Sequence, residues 1–164
     1  MRNILMILFV MGMAVPTLAQ KFGHIDSNAL LMAMPERSEA ETKIEGQAAQ
    51  YEEQLQIMQQ ELQTKFEEYQ TKANTWPDAI RQTKEKELRQ LEQGMQEFSV
   101  TAQQDLAKLE EELLTPMIDR AKTAIEEVGK ENGFTYIFDT SVGATLYNGG
   151  EDVMSLVKAK LNIQ

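Results

Sequence analysis

The chain has 164 residues and is acidic: 16 basic side chains stand against 26 acidic ones, giving a formal net charge of −10 and a pI near 4.6. This balance argues against nucleic-acid binding, because such proteins neutralise phosphates with clustered Lys and Arg. There is no cysteine, so the chain has no disulfide and no cysteine for lipid attachment; an exported protein can do without either.

The first nineteen residues have the features of a cleaved export signal. Arg2 gives a positive start, residues 4–15 form an apolar run, and residues 16–19 provide a break and small side chains before Gln20. The run is shorter than the roughly 20 residues that span a bilayer, and no second apolar segment follows. We predict that residues 1–19 are a signal peptide removed just before Gln20; an uncleaved membrane anchor is the alternative.

The segment after the signal is predicted to form a strand and a short helix. Residues 21–26 show the alternation that is typical of a strand. Ser27 or Asn28 can cap a helix over residues 29–34. Pro35 then bends the chain, because the residue before a proline avoids the helical region.

Residues 38–128 carry the strongest pattern, an apolar stripe with helical spacing along two long arms. Apolar residues recur every three or four positions, and spacings of eleven indicate helices with little supercoil. Residues 74–78, Asn-Thr-Trp-Pro-Asp, interrupt the stripe, and Pro77 suits the first turn of a second helix. We predict an antiparallel hairpin whose first arm, residues 38–73, is about 54 Å long at a rise of 1.5 Å per residue.

Residues 129–164 are predicted to bring the chain back to the N-terminal strand. Residues 131–133 have the composition of a helix stop, and residues 134–139 have the strongest strand propensity in the chain. Residues 144–147 are predicted as a further strand between two glycine-containing turns. Asp152 is predicted to cap a final helix.

The predicted fold class is α+β, a small β-sheet body with a long antiparallel helical hairpin. Residues 20–37 and 129–164 form the body and residues 38–128 the hairpin, with Pro116 at the bend where the second arm enters the body. About fifty residues are few for the core of one protomer, so we expect copies of the chain to share the body. The residues predicted in this shared body are Phe22, Ile25, Ile137, Phe138, Leu146, Val153 and Leu156.

Short motifs lie near the base of the hairpin and on either side of it. Gly-x-Ile-Asp ends at Asp26, Leu-Thr-Pro-Met occupies residues 114–117, and Asn-Gly-Phe at 132–134 precedes Ile-Phe-Asp at 137–139. In this order the sequence resembles the Skp/OmpH family of periplasmic chaperones over nearly its whole mature length.

The resemblance implies a homotrimer in which three protomers share a β-sheet body and extend their hairpins as coiled-coil tentacles around a cavity. It also implies an ATP-independent holdase in the periplasm. Its partners would be unfolded outer-membrane β-barrel proteins, which it would keep from aggregating during transit to the outer membrane.

Catalysis and cofactor binding find little support in the sequence. His24 is the one histidine, no glycine-rich phosphate loop precedes a helix, and no metal-ligand spacing occurs. His24, Asp26, Asp139 and Ser141 could approach one another in the body. A half-exposed sheet histidine, and aspartates that end strands or cap turns, explain these residues better than a hydrolase triad. We predict no enzyme activity, no cofactor and no metal.

The predicted client-binding surface is the inner face and tip of the hairpin. Met and aromatic side chains adapt to irregular partners, although at helical spacing they also form the seam between two packed helices. For Trp76, at the turn, client contact and a staple that stabilises the tip both stay open. The candidates for client contact are Tyr51, Met58, Phe66, Tyr69, Trp76 and Phe98.

Charge is uneven along the hairpin and differs from the basic members of the family that the chain resembles. Residues 36–63 carry a net −5 and residues 91–132 a net −6, but residues 64–90 around the tip carry +1. Basic side chains there could attract clients or anionic lipid, or form ordinary i,i+4 pairs on a solvated face. They are Lys65, Lys72, Arg81, Lys84, Lys86 and Arg89. The acidity argues against lipopolysaccharide binding and leaves membrane contact at most peripheral.

The main alternative to a chaperone is an exported trimeric coiled-coil adaptor that docks one defined envelope partner. The two hypotheses differ in what the arms accept: many unfolded outer-membrane chains, or one folded protein.

Overall fold

The computed structural model describes residues 20–163. The predicted signal peptide, residues 1–19, lies outside the described residues. The described elements in chain order are β1 (Lys21–Ile25), α1 (Ser27–Ala33), α2 (Pro35–Lys72), α3 (Asp78–Glu131), β2 (Phe134–Asp139), β3 (Glu151–Asp152) and α4 (Met154–Leu161).

Helices α2 and α3 form the predicted hairpin. They have 38 and 54 residues, and at 1.5 Å per residue α2 is about 57 Å long. A 3-10 turn, Ala73–Thr75, and two extended residues join them, so the chain reverses where the sequence predicted. Pro77 stands at the N-cap of α3, just before the first turn, and its carbonyl accepts hydrogen bonds from Ile80 and Arg81.

Helix α1 begins earlier than predicted. Its N-cap is Asp26, and not Ser27 or Asn28, because the Asp26 carboxylate accepts a hydrogen bond from the Ala29 amide at 2.9 Å. At the other end of the hairpin, Gly133 ends α3 with a positive φ of 69°, which glycine adopts without strain. Helix α3 is continuous through Pro116.

The sheet is parallel and has the order β2-β1-β3. The N-terminal strand is therefore central, with Phe22 opposite Tyr136 and His24 opposite Phe138 in β2. On its other side, Gly23 and His24 pair with the two residues of β3. The chain ends thus meet at the root of the hairpin, and a small sheet beside a helical hairpin gives the predicted α+β class.

The predicted strand over residues 144–147 is absent from the protomer. The second C-terminal strand lies instead at residues 151–152. Propensity favours a strand at 144–147, but a strand needs a neighbour for its backbone hydrogen bonds, and in residues 20–163 no strand lies beside this segment.

The core lies at the root, where the inner face of the sheet packs against α1, α4 and the last turns of α3. Its buried side chains are Ile25, Leu30, Met34, Met117, Ala121, Ala124, Val128, Val153 and Val157. Gly23 is required here by space: a Cβ at this position would lie 2.9 Å from the Phe134 ring and 3.0 Å from Val153. An ion pair between Arg120 and Glu36 joins α3 to the first turn of α2.

Candidate binding surfaces

Three of the predicted client-binding residues lie in the seam between the two arms. Tyr51 and Phe98 meet edge to face with ring centroids 5.8 Å apart, and the Tyr51 hydroxyl donates to Asp105 at 3.3 Å. Met58 lies beside Gly94, with its Cε 3.9 Å from where a Cβ would stand. All three predicted residues are half-buried. Their contacts hold α2 against α3.

The tip is closed by an aromatic pair. Trp76 is half-buried and packs on Tyr69, with centroids 6.1 Å apart and planes inclined at 60°. The Tyr69 hydroxyl donates to Glu85 on α3 at 2.5 Å, and this hydrogen bond raises the pKa of Tyr69. Trp76 thus has the geometry of a staple that ties the turn to the end of α2.

Phe66 differs from the other five candidates because 49% of it is exposed. Further apolar side chains of the hairpin are also exposed and lie outside the stripe that the helical period selects. These are Ile57, Ile80, Val100 and Ile118. Sequence reasoning missed them because it followed the period; apolar residues that break the period are the signal that would have found them. The exposed apolar positions are spread along the arms from Ile57 to Ile118.

The basic side chains of the tip are largely neutralised by acidic neighbours. The pairs are Lys65 with Glu61 and Glu87, Lys72 with Glu68, Arg81 with Asp78, Lys84 with Glu87, and Arg89 with Glu85. Lys86 has no ion pair within residues 20–163. Exposed pairs of this kind are weak, so they compensate charge without fixing the side chains firmly. This geometry favours the solvated helical face over a strongly attracting basic tip.

The body residues predicted to be shared divide between two surfaces. Ile25 and Val153 are buried in the core of the protomer, and Ile137 and Leu156 pack against it. The remaining three residues are exposed. They are Phe22, Phe138 and Leu146.

The exposed residues belong to an uncovered aromatic face of the sheet. Phe22, Tyr136 and Phe138 stack on one another with centroids 6.1 to 6.3 Å apart, and 41 to 60% of each is exposed. Leu146 and Tyr147, which follow β2, are almost entirely exposed. One face of the sheet therefore covers the core, whereas the other presents an apolar patch of the kind that marks an interaction site.

Asp139 closes the body where β2 ends. Its carboxylate accepts hydrogen bonds from the Ser27 hydroxyl at 2.6 Å, the Ser27 amide at 3.2 Å and the Ser141 amide at 2.9 Å. Desolvation raises the pKa of Asp139, but these hydrogen bonds together lower it by a larger amount. The pKa therefore lies below its ordinary value. The cluster links α1 to the turn after β2.

His24 does not join this cluster. Its Nδ1 is buried without a hydrogen-bond partner in the described part of the chain. The arrangement of Asp139, Ser27 and Ser141 thus caps a helix and a turn, and His24 does not stand between the carboxylate and a serine hydroxyl as a triad requires. Among residues 20–163, no cluster of three or more His, Cys, Asp or Glu could hold a metal ion, and no helix is long and apolar enough to cross a membrane.

Comparison with known proteins identifies one family. Residues 21–161 match the family model described as "Outer membrane protein (OmpH-like)", and the match includes the flanks as well as the hairpin. No curated protein matches the chain significantly.

Proposed function

Because the chain belongs to the OmpH-like family, whose members are periplasmic chaperones of outer-membrane proteins and not enzymes, we propose that it is an ATP-independent holdase. It binds unfolded outer-membrane proteins after export and prevents their aggregation in transit. Residues 1–19 are removed before Gln20, which leaves the mature chain in the periplasm.

The observation that carries this proposal is a hairpin that extends far beyond the core that anchors it. A β-barrel chain in transit exposes alternating apolar residues and unpaired strand edges, so it needs apolar shelter. The arms supply dispersed apolar positions, among them Ile57, Phe66 and Val100. Such contacts are individually weak, and affinity comes from many of them acting together.

The functional unit is a homotrimer whose protomers share the body. The aromatic face of the sheet supports this proposal, because a small body with an uncovered apolar face gains stability when another copy covers it. Three hairpins projecting from one body would enclose a client from several sides. This arrangement would multiply the weak contacts that each arm can make.

The test is dilution of a urea-unfolded outer-membrane β-barrel into buffer with and without the mature chain, followed by light scattering. We expect suppression of scattering that saturates near three chains per client, without ATP and for unrelated barrels. A correctly folded sample that suppresses nothing at any ratio would contradict the holdase. Capture of one folded envelope protein, but of no unfolded barrel, would instead identify the adaptor.

A further inference from the structure

The chain contains the dipeptide Asn-Gly twice, at residues 132–133 and 148–149. An asparagine followed by glycine is open to attack by its own backbone, because the next residue has no Cβ to obstruct the approach. The backbone nitrogen of the glycine then closes a five-membered ring with the side-chain carbon of the asparagine, and this reaction makes asparagine a labile residue. The structure places the two identical dipeptides in different surroundings.

The first dipeptide is held at the C-terminal end of α3. The side-chain amide of Asn132 donates to the Val128 carbonyl at 2.9 Å, and the backbone amide of Asn132 donates to the same carbonyl at 3.1 Å. The backbone amide of Gly133 donates to the Lys130 carbonyl at 3.5 Å. Both groups that would have to react are therefore engaged, so the ring can close only after the end of the helix has opened.

The second dipeptide lies outside the helices and strands, just before β3. Asn148 and Gly149 are both exposed. Within residues 20–163, neither the side-chain amide of Asn148 nor the backbone amide of Gly149 has a hydrogen-bond partner. The attacking nitrogen and the carbon that it attacks are thus free to approach each other without breaking any contact of the fold.

We propose that Asn148 is a site of spontaneous modification, at which the asparagine becomes aspartate or isoaspartate. The Gly149 nitrogen loses its proton and forms a bond to Cγ of Asn148, while the bond from Cγ to Nδ2 breaks and ammonia leaves with the proton. Water then adds to one of the two carbonyl carbons of the ring, and the bond from that carbon to the Gly149 nitrogen breaks. Opening at Cγ gives aspartate, and opening at the main-chain carbon gives isoaspartate.

The modification changes the surface on which it occurs. Residues 140–150 contain no charged side chain, and Asn148 and Gly149 line a cavity of about 310 Å³ together with Phe22 and Phe138 of the aromatic face. Either product places a carboxylate beside this uncharged cavity. Isoaspartate also lengthens the main chain by one carbon just before β3. This inference goes beyond the proposed function and does not depend on it.

Incubation of the purified, folded protein in mildly alkaline buffer, followed by digestion and mass spectrometry, tests the proposal. Chymotrypsin cleaves after the aromatic residues that separate the two dipeptides, so each asparagine is followed in its own peptide. We expect position 148 to show the mass gain of amide hydrolysis at least about tenfold faster than position 132, which reacts only through local opening. In urea the two rates should become similar, because both dipeptides are then unfolded.

The products identify the route. A mixture of aspartate and isoaspartate at position 148 indicates the ring, because direct hydrolysis of the side chain gives aspartate alone. Three results would overturn the proposal: equal rates at positions 132 and 148 in the folded protein, a position 148 that reacts in urea but not in the folded protein, or aspartate as the sole product. A turn closed by another copy of the chain would give the second of these results.

Variants test the role of the glycine. A Cβ at position 149 would lie 2.6 Å from the Tyr147 ring, so Gly149→Ala both obstructs the attack and restricts the turn, and it should slow the reaction at least about tenfold. Gly46→Ala meets nothing within 4 Å and is the control, which should react at the parental rate. Circular dichroism verifies that both variants are folded.

Asn148→Gln should abolish the mass gain at position 148 and leave that at position 132 unchanged. A folded Gly149→Ala variant that reacts at the parental rate would contradict the inference. None of these readouts involves a client, so the inference and the proposed function can fail independently of each other.

Discussion

At the root of the molecule, nine apolar side chains are buried together, from β1, α1, α3, α4 and the cap residues Met34 and Val153. In the described arms above it, Ala40 and Ala102 alone are buried, and the leucines and aromatic residues of the seam stay half-exposed. The same residue types are thus fully buried in one region and only partly buried in the other. Because apolar burial supplies most of the stabilisation, the root holds the fold while the arms keep apolar surface exposed.

The largest expected effect comes from emptying the root. Leu30 is completely buried, so Leu30→Ala should lower the free energy of unfolding by about 2–5 kcal/mol. Leu62 in the seam is half-buried, and Leu62→Ala should cost less than half as much. Urea denaturation followed by circular dichroism measures both. Equal losses would mean that the arms contribute to stability as the root does, which would remove the contrast.

Replacing two glycines by alanine sharpens the comparison, because the two changes in stability should have opposite signs. Gly23→Ala forces a methyl group against Phe134 and Val153 and should destabilise the root by about 1–3 kcal/mol. Gly46→Ala in α2 meets nothing within 4 Å and should stabilise the arm by up to about 1 kcal/mol, because alanine favours the helix. Thermal unfolding of the two variants should show shifts in opposite directions. A stabilised Gly23 variant would contradict the close packing at this strand.

Acid should weaken the root through Asp139. Its pKa is lowered in the folded state, so its contribution to stability is present above the ordinary value of 3.8 and is lost as the pH falls through the folded pKa. Asp139→Asn should therefore be less stable than the parent at pH 6 and should lose less stability between pH 6 and pH 3. Asp119→Asn, an exposed position on α3, is the control and should retain the parental pH dependence. Parallel curves for the parent and Asp139→Asn would rule out this role.

The smallest effect is expected for an exposed apolar side chain of the arms. Phe66→Ala should weaken capture of an unfolded barrel by no more than about threefold and should hardly change stability, since binding is spread over many weak contacts. Fluorescence titration with a labelled client measures this. If this single substitution abolished capture, the distributed mechanism would be wrong and Phe66 would be a dominant anchor.

The hairpin, β1 and β2 were predictable from sequence because their signals are local. Helical spacing, the Pro77 turn and the Gly133 stop each act within a few residues. The segment 144–147 shows the limit: its propensity favours a strand, but a strand forms only where a neighbour accepts its backbone groups.

Client contacts could not be predicted from the sequence for a different reason. The helical period that marks an apolar face is the same for a seam and for a binding surface. Tyr51 and Phe98 are therefore indistinguishable in sequence from residues that face a client, whereas the structure places them between the arms. Exposed Ile57 and Val100 lie off this period, so a search that follows the period passes over them.

The central position of β1 has a consequence for biogenesis. Its neighbour β2 lies at the far end of the chain, and the Ser27–Asp139 hydrogen bonds that close the body span 112 positions. Closing so long a loop is slow relative to zipping up a local helical hairpin, so the hairpin should form first and the sheet last. If the chain is exported as proposed, it leaves the channel from its N-terminus and keeps β1 unpaired until β2 has emerged. During that interval the protein is itself a nascent chain with an exposed strand, in the same condition as the polypeptides it is proposed to shelter.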